Sequence, residues 1–445
     1  MNLTLKEMFG LANIEVPAQF QKIEFPSHAA TDSRDVKSGD AFIALEGEKT
    51  DGHKFIPQAI SNGAKLIIAK KNKNLDIPDS IPVIELDNPE KDLAFIASER
   101  LKKFQPKEII AITGSVGKTT TRYALEQILA SKYKIHAPEK SFNTLITCST
   151  TVLAMPIETE ILLLEFGANK PGEIKELTQF FSPTIAILTA VAPVHLEGFK
   201  TVEGVLHEKL EIIHSKNIKK VFFNNDVELL RPLKHVSIGQ YENSDYKISF
   251  EKSNYELPAL SFTLKNTKFK ANVWGKHIAM PLSLAAATGD FLDIPLEKSA
   301  EILTHFQAMS GRGRIVNLKN NVFLVDDAYN ANPMSMRASL ETFTEINCSK
   351  LAILGEMREM GSDAAKYHRD LKNLIEKIDF VILVGKTWSD ALPEFSGKNI
   401  FVENWQQALE LSKNILSENN IQGILAKGSN SIGLSNIVNY LEENL

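Results

Sequence analysis

Two cysteines in 445 residues, Cys148 and Cys348, leave no room for a disulfide framework, and the absence of a Cys-x-x-Cys pair removes a thiolate zinc site. A reducing, cytoplasmic setting is the expectation. No uninterrupted apolar run approaches the ~18 to 20 residues a helix needs to cross a bilayer, so no membrane insertion is expected. The opening segment MNLTLKEMFGLAN carries Lys6 and Glu7 where a signal peptide needs its apolar centre; it reads as a short amphipathic helix. Basic residues are not in excess: 50 Lys and Arg stand against 55 Asp and Glu, a net charge of -5, which argues against a nucleic-acid partner. What remains, 43% hydrophobic and 24% charged, describes a soluble globular chain. Its length exceeds one ordinary core, and at ~100 to 200 residues per domain three domains is the working number.

Residues 1–105 mix short strands and turns (31–40, AFIAL at 41–45, LIIA at 66–69) with a helical segment at 58–63, which predicts a small α/β domain. The break KFQPKE around Pro106 is followed by the buried-strand run IIAIT at 109–113. Strands then alternate with helical patterns: ILLLE at 161–165, TIAILT at 184–189, KVFFNN at 220–225. That rhythm predicts a parallel doubly wound sheet over 106–310, with a strand-rich stretch at 247–274 and helices at 280–288 and 297–306. The Gly/Arg turn MSGRGRI at 309–315 marks a second boundary. Beyond it, 311–445 alternates again (VFLVDD, LAIL, FVILVG, GILAKG) and is Rossmann-like in rhythm, without a Gly-x-Gly-x-x-Gly after its first strand. The expected fold is thus α/β in three domains, with a P-loop sheet in the centre.

The strongest chemical signal is Gly114-Ser115-Val116-Gly117-Lys118-Thr119-Thr120, between the strand IIAIT and a helix beginning near Thr120. Small residues let backbone wrap a phosphate, the helix start offers oriented N–H groups, Lys118 can bridge the β- and γ-phosphates, and the Thr119 hydroxyl suits Mg²⁺. Ile112 replaces the first glycine of the longer loop form. Glu165 ends its apolar strand, and His195 and Glu197 follow the next one, all on the edge where open parallel sheets bind ligands. Either carboxylate or imidazole alone would read as an ordinary strand end. EGVLHEKLEIIH at 203–214 carries Lys209 among Glu203, Glu208 and Glu211, a pattern that a solvated charged helix face also produces. Asp326-Asp327-Ala328-Tyr329-Asn330-Ala331-Asn332-Pro333 crowds acids and amides at a strand end, as a ligand site or a capping turn would. Lys427-Gly428-Ser429 ends another strand, and His368, after GEMREMG, can be functional or simply on the surface.

Together these segments, in this order, resemble the Mur ligase family over almost the whole chain. The resemblance implies an ATP-dependent amide ligase. TDSRDVKSGDAFIALEGEKTDGHKFIPQAISNGA at 31–64 is similar to the family's uridine-nucleotide domain, where Ser33 and Arg34 match the contacting pair. TGSVGKTTT matches its phosphate loop and LLLEFGANKPGEI the segment whose Glu, here Glu165, helps hold Mg²⁺. His195 falls on the histidine of a second Mg²⁺, and Lys209 on the lysine that CO₂ carbamylates into a metal-bridging group. DDAYNANPMSMRASLETF resembles the branch that adds D-alanyl-D-alanine to UDP-N-acetylmuramoyl-tripeptide, the precursor of peptidoglycan. His277 and Asn330 are expected near ATP, and Asn143, Asn332, Lys427 and Ser429 near the substrates. A monomer is expected.

Departures from the family pattern are specific. Ile278 stands where an amide is usual beside adenine, Asn430 where an arginine is usual, Ala190-Val191-Ala192-Pro193 replaces an Asn-containing approach to His195, and Asn143 lacks its following glycine. They keep two alternatives open: a Mur-type ligase for another amino acid, and a nucleotide-binding relative without turnover.

Overall fold

The computed structural model of the chain describes residues 3–47, 50–73, 75–250, 260–393 and 399–445, arranged on three sheets. The first is a parallel sheet of four short strands in chain order, Ala29–Ala30, Ala41–Ile43, Leu66–Lys70 and Val83–Leu86. The helix Pro89–Phe104 follows it. Its start is set by Pro89, whose ring pre-sets the helical φ, and by Asn88, whose side chain accepts the Lys91 N–H at 3.2 Å; Gln105, left-handed at φ 40°, ends it. Leu93, Ile96, Ala97 and Leu101 lie on one face and join the same apolar core as the helix Leu145–Ala154 of the central unit. The core is therefore continuous across residue 105.

Arg100 pins this junction. Its guanidinium is 1% exposed and donates to the carbonyl oxygens of Val152 and Met155, at the end of the helix Leu145–Ala154. Among the described residues, the Val152 carbonyl otherwise accepts only the Met155 N–H, at 3.2 Å, so a buried cation at this helix end completes its bonding, satisfies the Met155 carbonyl and meets the negative end of the dipole. Arg100→Ala should lower unfolding stability by about 2 kcal/mol, read by urea titration, because it removes two charge-assisted hydrogen bonds and leaves the Met155 carbonyl without its donor.

The central sheet has nine strands. Seven run parallel from Ile135–His136 at one edge to Tyr246–Ser249, and an antiparallel hairpin, Leu260–Leu264 with Thr267–Ala271, completes it. Residues 251–259 of the strand-rich stretch lie outside the described residues. The run IIAIT works because strand side chains alternate: Ile109 and Ala111 enter the core layer on one face, and Ile110 and Ile112 the layer on the other. Glu108–Thr113 lies between Ile161–Phe166 and Ile185–Leu188, so the chain reverses its winding direction at this strand. The crevice at its carboxyl end is where an open sheet binds ligands.

In the last sheet, Arg314–Asn317 pairs antiparallel with Phe323–Asp327; parallel strands Gly423–Lys427, Lys350–Gly355, Phe380–Val384 and Asn399–Val402 follow in that spatial order. Trp274, from the end of the central unit, is fully buried in this third core against Phe323 and Phe343. The connecting turn is held by Asp326, which accepts the Gly311 N–H at 2.7 Å and the Ser310 hydroxyl at 3.0 Å. Among the described residues no helix is long and apolar enough to cross a membrane.

Candidate active site

The loop from Gly114 to Thr120 sits in that crevice. Gly114 has φ 150°, and a Cβ there would lie 2.0 Å from Thr189 Oγ1 and 2.8 Å from the Ala190 nitrogen, so no side chain fits. Gly117, at φ 86°, turns the backbone into the helix Lys118–Leu129. The loop is braced from the neighbouring strand end: Ser115 N–H donates to Ala190 at 2.9 Å, and the Thr189 hydroxyl donates to the Val116 carbonyl at 2.5 Å. Lys118 curls back to the Gly114 carbonyl at 2.6 Å. Burial, assisted by the charge of Arg312, pulls its pKa down to about 8.

Behind the loop, Glu165 is completely buried and accepts from the Thr119 hydroxyl at 3.0 Å and from Arg122 Nε at 3.1 Å. Lys209, from the helix Val202–Leu210, lines the same cavity as Lys118 and is 2% exposed. The solvated charged face that its sequence also suggested is not what forms. Glu208 is buried too, with its carboxylate accepting the Gly172 and Ile174 N–H groups at 2.7 and 2.6 Å. Lys209 has no hydrogen-bond or ion-pair partner among the described residues. Burial, with the charge of Lys118, lowers its pKa to about 7, so much of the amine is neutral at physiological pH. His195 begins the short helix Leu196–Phe199 at φ 49° and is bonded through Nδ1 to Glu359 of the last unit. Burial lowers its pKa, against the pull of Glu359.

Among the described residues, no group of three or more His, Cys, Asp or Glu can hold a metal ion unaided. Thr119, Glu165, His195 and Lys209 instead offer one or two donors each around the loop, which suits Mg²⁺ taking most of its ligands from phosphate and water. A neutral, unpartnered lysine amine fits the carbamate chemistry as well.

Two cavities meet at the loop, and Ser115 lines both. The first, about 1160 Å³ including its open mouth, reaches Thr120 and His277 on the central side and Arg312, Asn330, Asn332 and Lys427 on the other. His277 is kept neutral by burial, which drops its pKa to about 4, and its Nδ1 has no partner. Lys427 is buried and spans Asp327 Oδ2 at 2.7 Å and the Asn330 carbonyl at 3.2 Å. Asn332 caps the helix Pro333–Glu345 by accepting the Ser335 N–H at 2.9 Å, so the capping explanation of this turn is correct for that residue. The second cavity holds Gly114, Lys118, Asn143, Glu173, His195 and Lys209.

A third hollow, between the first and central units, is lined by Thr31, Asp32, Arg34 and Lys140, and the segment that borders it at Phe142 continues to Asn143 in the second cavity. Arg34 faces this hollow, where it holds Asp32 at 2.6 Å and keeps that carboxyl at a pKa of about 2. Ser33 does not. Its hydroxyl is buried and donates to Gln58 at 2.8 Å. Ser429 also faces none of the three cavities: its hydroxyl accepts the Arg358 N–H at 3.0 Å. His368 is not a surface residue; it is fully buried, edge-on to Trp388 at 4.5 Å, and accepts the Met357 N–H at 3.0 Å.

Sequence reading missed Arg312, treating its Gly-Arg-Gly-Arg run as a boundary alone. Flanked by Gly311 and Gly313 at φ 74° and 79°, it lies 3.9 Å over the Tyr329 ring and reaches Ser141 at 3.4 Å beside the loop. Two left-handed glycines around one arginine are the signal that a presented side chain leaves. Arg122 and Glu359 carried no such mark.

Three family models match: the "Mur ligase family, catalytic domain" over residues 27–113, the "Mur ligase middle domain" over 112–289 and the "Mur ligase, glutamate ligase domain" over 311–430. The UDP-N-acetylmuramoyl-tripeptide–D-alanyl-D-alanine ligase of Rickettsia prowazekii is 31% identical over 435 residues, covering 92% of this chain and 94% of the relative. That of Bacillus subtilis is 30% identical over 430 residues, covering 93% of each. Among solved structures, MurF from Acinetobacter baumannii aligns with a TM-score of 0.84 at 25% identity, covering 100% of this chain and 99% of that one. MurF from Thermotoga maritima in complex with ADP aligns at 0.78 and 26% identity, covering 94% and 97%.

Proposed function

Because the chain belongs to the Mur ligase family, we propose that it joins D-alanyl-D-alanine to UDP-N-acetylmuramoyl-tripeptide at the expense of ATP, making the pentapeptide precursor of peptidoglycan. The observation that carries this reading is two cavities meeting at one phosphate loop, with Lys118 and Lys209 on the acceptor side and His277 and Arg312 on the nucleotide side. Residues 1–105 bind the uridine nucleotide, 106–310 hold ATP and 311–445 bring the amine. Arg34 and Lys140 meet the diphosphate end of the substrate, whose peptide runs past Phe142 and Asn143 toward Lys118.

Carboxylate and amine do not condense in water, because oxide is a poor leaving group. The tripeptide carboxylate oxygen attacks the γ-phosphorus of ATP, the bond to the β-phosphate oxygen breaks, and ADP leaves an acyl phosphate. The neutral amine of D-alanyl-D-alanine then attacks the acyl carbon, expelling phosphate and losing a proton. Carboxylate and triphosphate repel, so the site must neutralise them first. Lys118 and the loop N–H groups do so at the phosphates, and Arg312 adds a second cation from the connecting turn. Thr119, Glu165, His195 and a carbamylated Lys209 would hold two Mg²⁺ ions, which would supply further charge neutralisation at the phosphates. Lys209 reaches that form by the reaction of its neutral amine with CO₂, which forms an N–C bond and releases one proton. Lys427, Asn330 and Asn332 close the nucleotide side and exclude the water that would hydrolyse an acyl phosphate.

The reading needs ATP, which implies action in the cytoplasm, and one chain supplies every group named, so a monomer suffices. Phosphate release measured with ATP, UDP-N-acetylmuramoyl-tripeptide and D-alanyl-D-alanine should require all three. Equal release with another amine moves the chain to a different ligase of the family. Release that ignores both tripeptide and amine removes the ligase reading.

A further inference from the structure

The contact between His195 and Glu359 joins two units that meet nowhere else on this side of the site by side-chain ion pairing among the described residues. Two bonds make it: the Leu196 N–H donates to the Glu359 carbonyl at 3.1 Å, and the His195 ring is bonded through Nδ1 to the Glu359 carboxylate. Both residues are non-glycine positions in the left-handed region, φ 49° and 62°. Each conformation is uncommon for a residue with a side chain and costs backbone energy, so two facing each other across a domain boundary need a reason.

The loop that carries Glu359 is built rigidly. Met357 and Met360, on either side of it, are 2% and 3% exposed. The Met357 N–H is held by His368, itself wedged against Trp388, and the Arg358 N–H by Ser429. His368 and Ser429 thus touch none of the three cavities yet set the position of the Glu359 backbone. From that frame Glu359 projects, more than half exposed, to the one ring that enters the acceptor cavity beside Lys209.

An ionised carboxylate has no proton to donate, so His195 Nδ1 is the donor and Nε2 is left with a lone pair. Nε2 makes no hydrogen bond among the described residues. A carboxylate fixing the far nitrogen of a ring is how metal-binding histidines are commonly oriented. Here the carboxylate comes from a different unit than the ring. We infer that Glu359 is a positioning residue: docking of the last unit sets the tautomer and orientation of His195, so the acceptor site is complete only when that unit is seated. This rests on the reading that His195 serves the transfer site.

The test reads the ring directly, without nucleotide or metal. In protein labelled with ¹⁵N-histidine, long-range ¹H–¹⁵N spectra of His195 should show Nδ1 protonated and Nε2 bare, assigned by loss of the signal in His195→Ala. In Glu359→Ala the ring should revert to a mixture dominated by the Nε2-protonated form. Glu359→Gln keeps an acceptor oxygen and should keep most of the original tautomer. In turnover, Glu359→Ala should lose about 10- to 100-fold in kcat with KM for ATP within about threefold, and Glu359→Gln should recover part of it. An unchanged tautomer in Glu359→Ala, or parental kcat, overturns the inference. Absence of ligase turnover in the parent protein would sink the functional reading instead, and leave the tautomer result standing on its own.

Discussion

Lys209→Ala should fold, bind nucleotide and show at least ~10³-fold lower kcat, a loss of about 4 kcal/mol in transition-state stabilisation. The structure separates this from a folding defect. Lys209 is buried without a partner, so its removal takes away a group that costs stability rather than one that supplies it. Its folded pKa of about 7 lies well below the ordinary 10.5, so between those values the unfolded chain binds the extra proton and the lysine's contribution improves as pH rises. In metal-free, CO₂-depleted buffer the melting temperature of Lys209→Ala should therefore match or exceed that of the parent at pH 7, and the gap should shrink toward pH 10. Because CO₂ adds only to the neutral amine, carbamate content in the parent, read by ¹³C NMR with labelled bicarbonate, should fall as pH drops below about 7. Small carboxylates such as acetate should restore about 10-fold of the lost activity by supplying an anion in the vacated space. Parental activity in Lys209→Ala removes the carbamate from the mechanism.

Lys118→Ala is expected to cost a similar factor, at least ~10³-fold in kcat/KM, for a different reason. Lys118 lines the acceptor cavity, next to Ser115, which both cavities share, and nothing else described in the loop carries charge. A second effect follows from its position. Lys118 is one of the causes that hold the Lys209 pKa down, so removing it should raise that pKa and shift the carbamate titration to higher pH. Activity loss together with an unmoved ¹³C titration would mean that the two lysines do not feel each other, contrary to the geometry. Isothermal titration with ADP should show the weakened phosphate contact directly.

Much of this site is visible in the chain alone. The loop from Gly114 to Thr120 is local: its glycines, lysine and hydroxyls are consecutive, and the strand before them is marked by an unbroken apolar run. Glu165 and His195 are likewise placed by strand ends, and parallel sheets put all strand ends on one edge. Both border the loop, Glu165 through Thr119 and His195 in the cavity with Gly114 and Lys118, because strand order sets the strands they follow on either side of Glu108–Thr113.

Other assignments changed with the fold because their meaning depends on distant neighbours. Lys209 and Glu208 look like a solvated helix face until the fold buries them, Glu208 against the start of the helix Glu173–Phe181. Ser33 and Ser429, matched by motif, turn their hydroxyls to Gln58 and the Arg358 N–H instead of a cavity. His368 becomes a strut. Arg312 and Glu359 come to the site from the hinge and from the last unit, at sequence distances no period or motif can span. Sequence by itself determined the elements, their parallel order of winding and the phosphate loop, since apolar periodicity and consecutive glycines act over a few residues. Burial of an amine, the choice between strut and ligand, and the reach of Glu359 to His195 were decided only by tertiary structure, because desolvation and long-range contact exist only once the chain has closed.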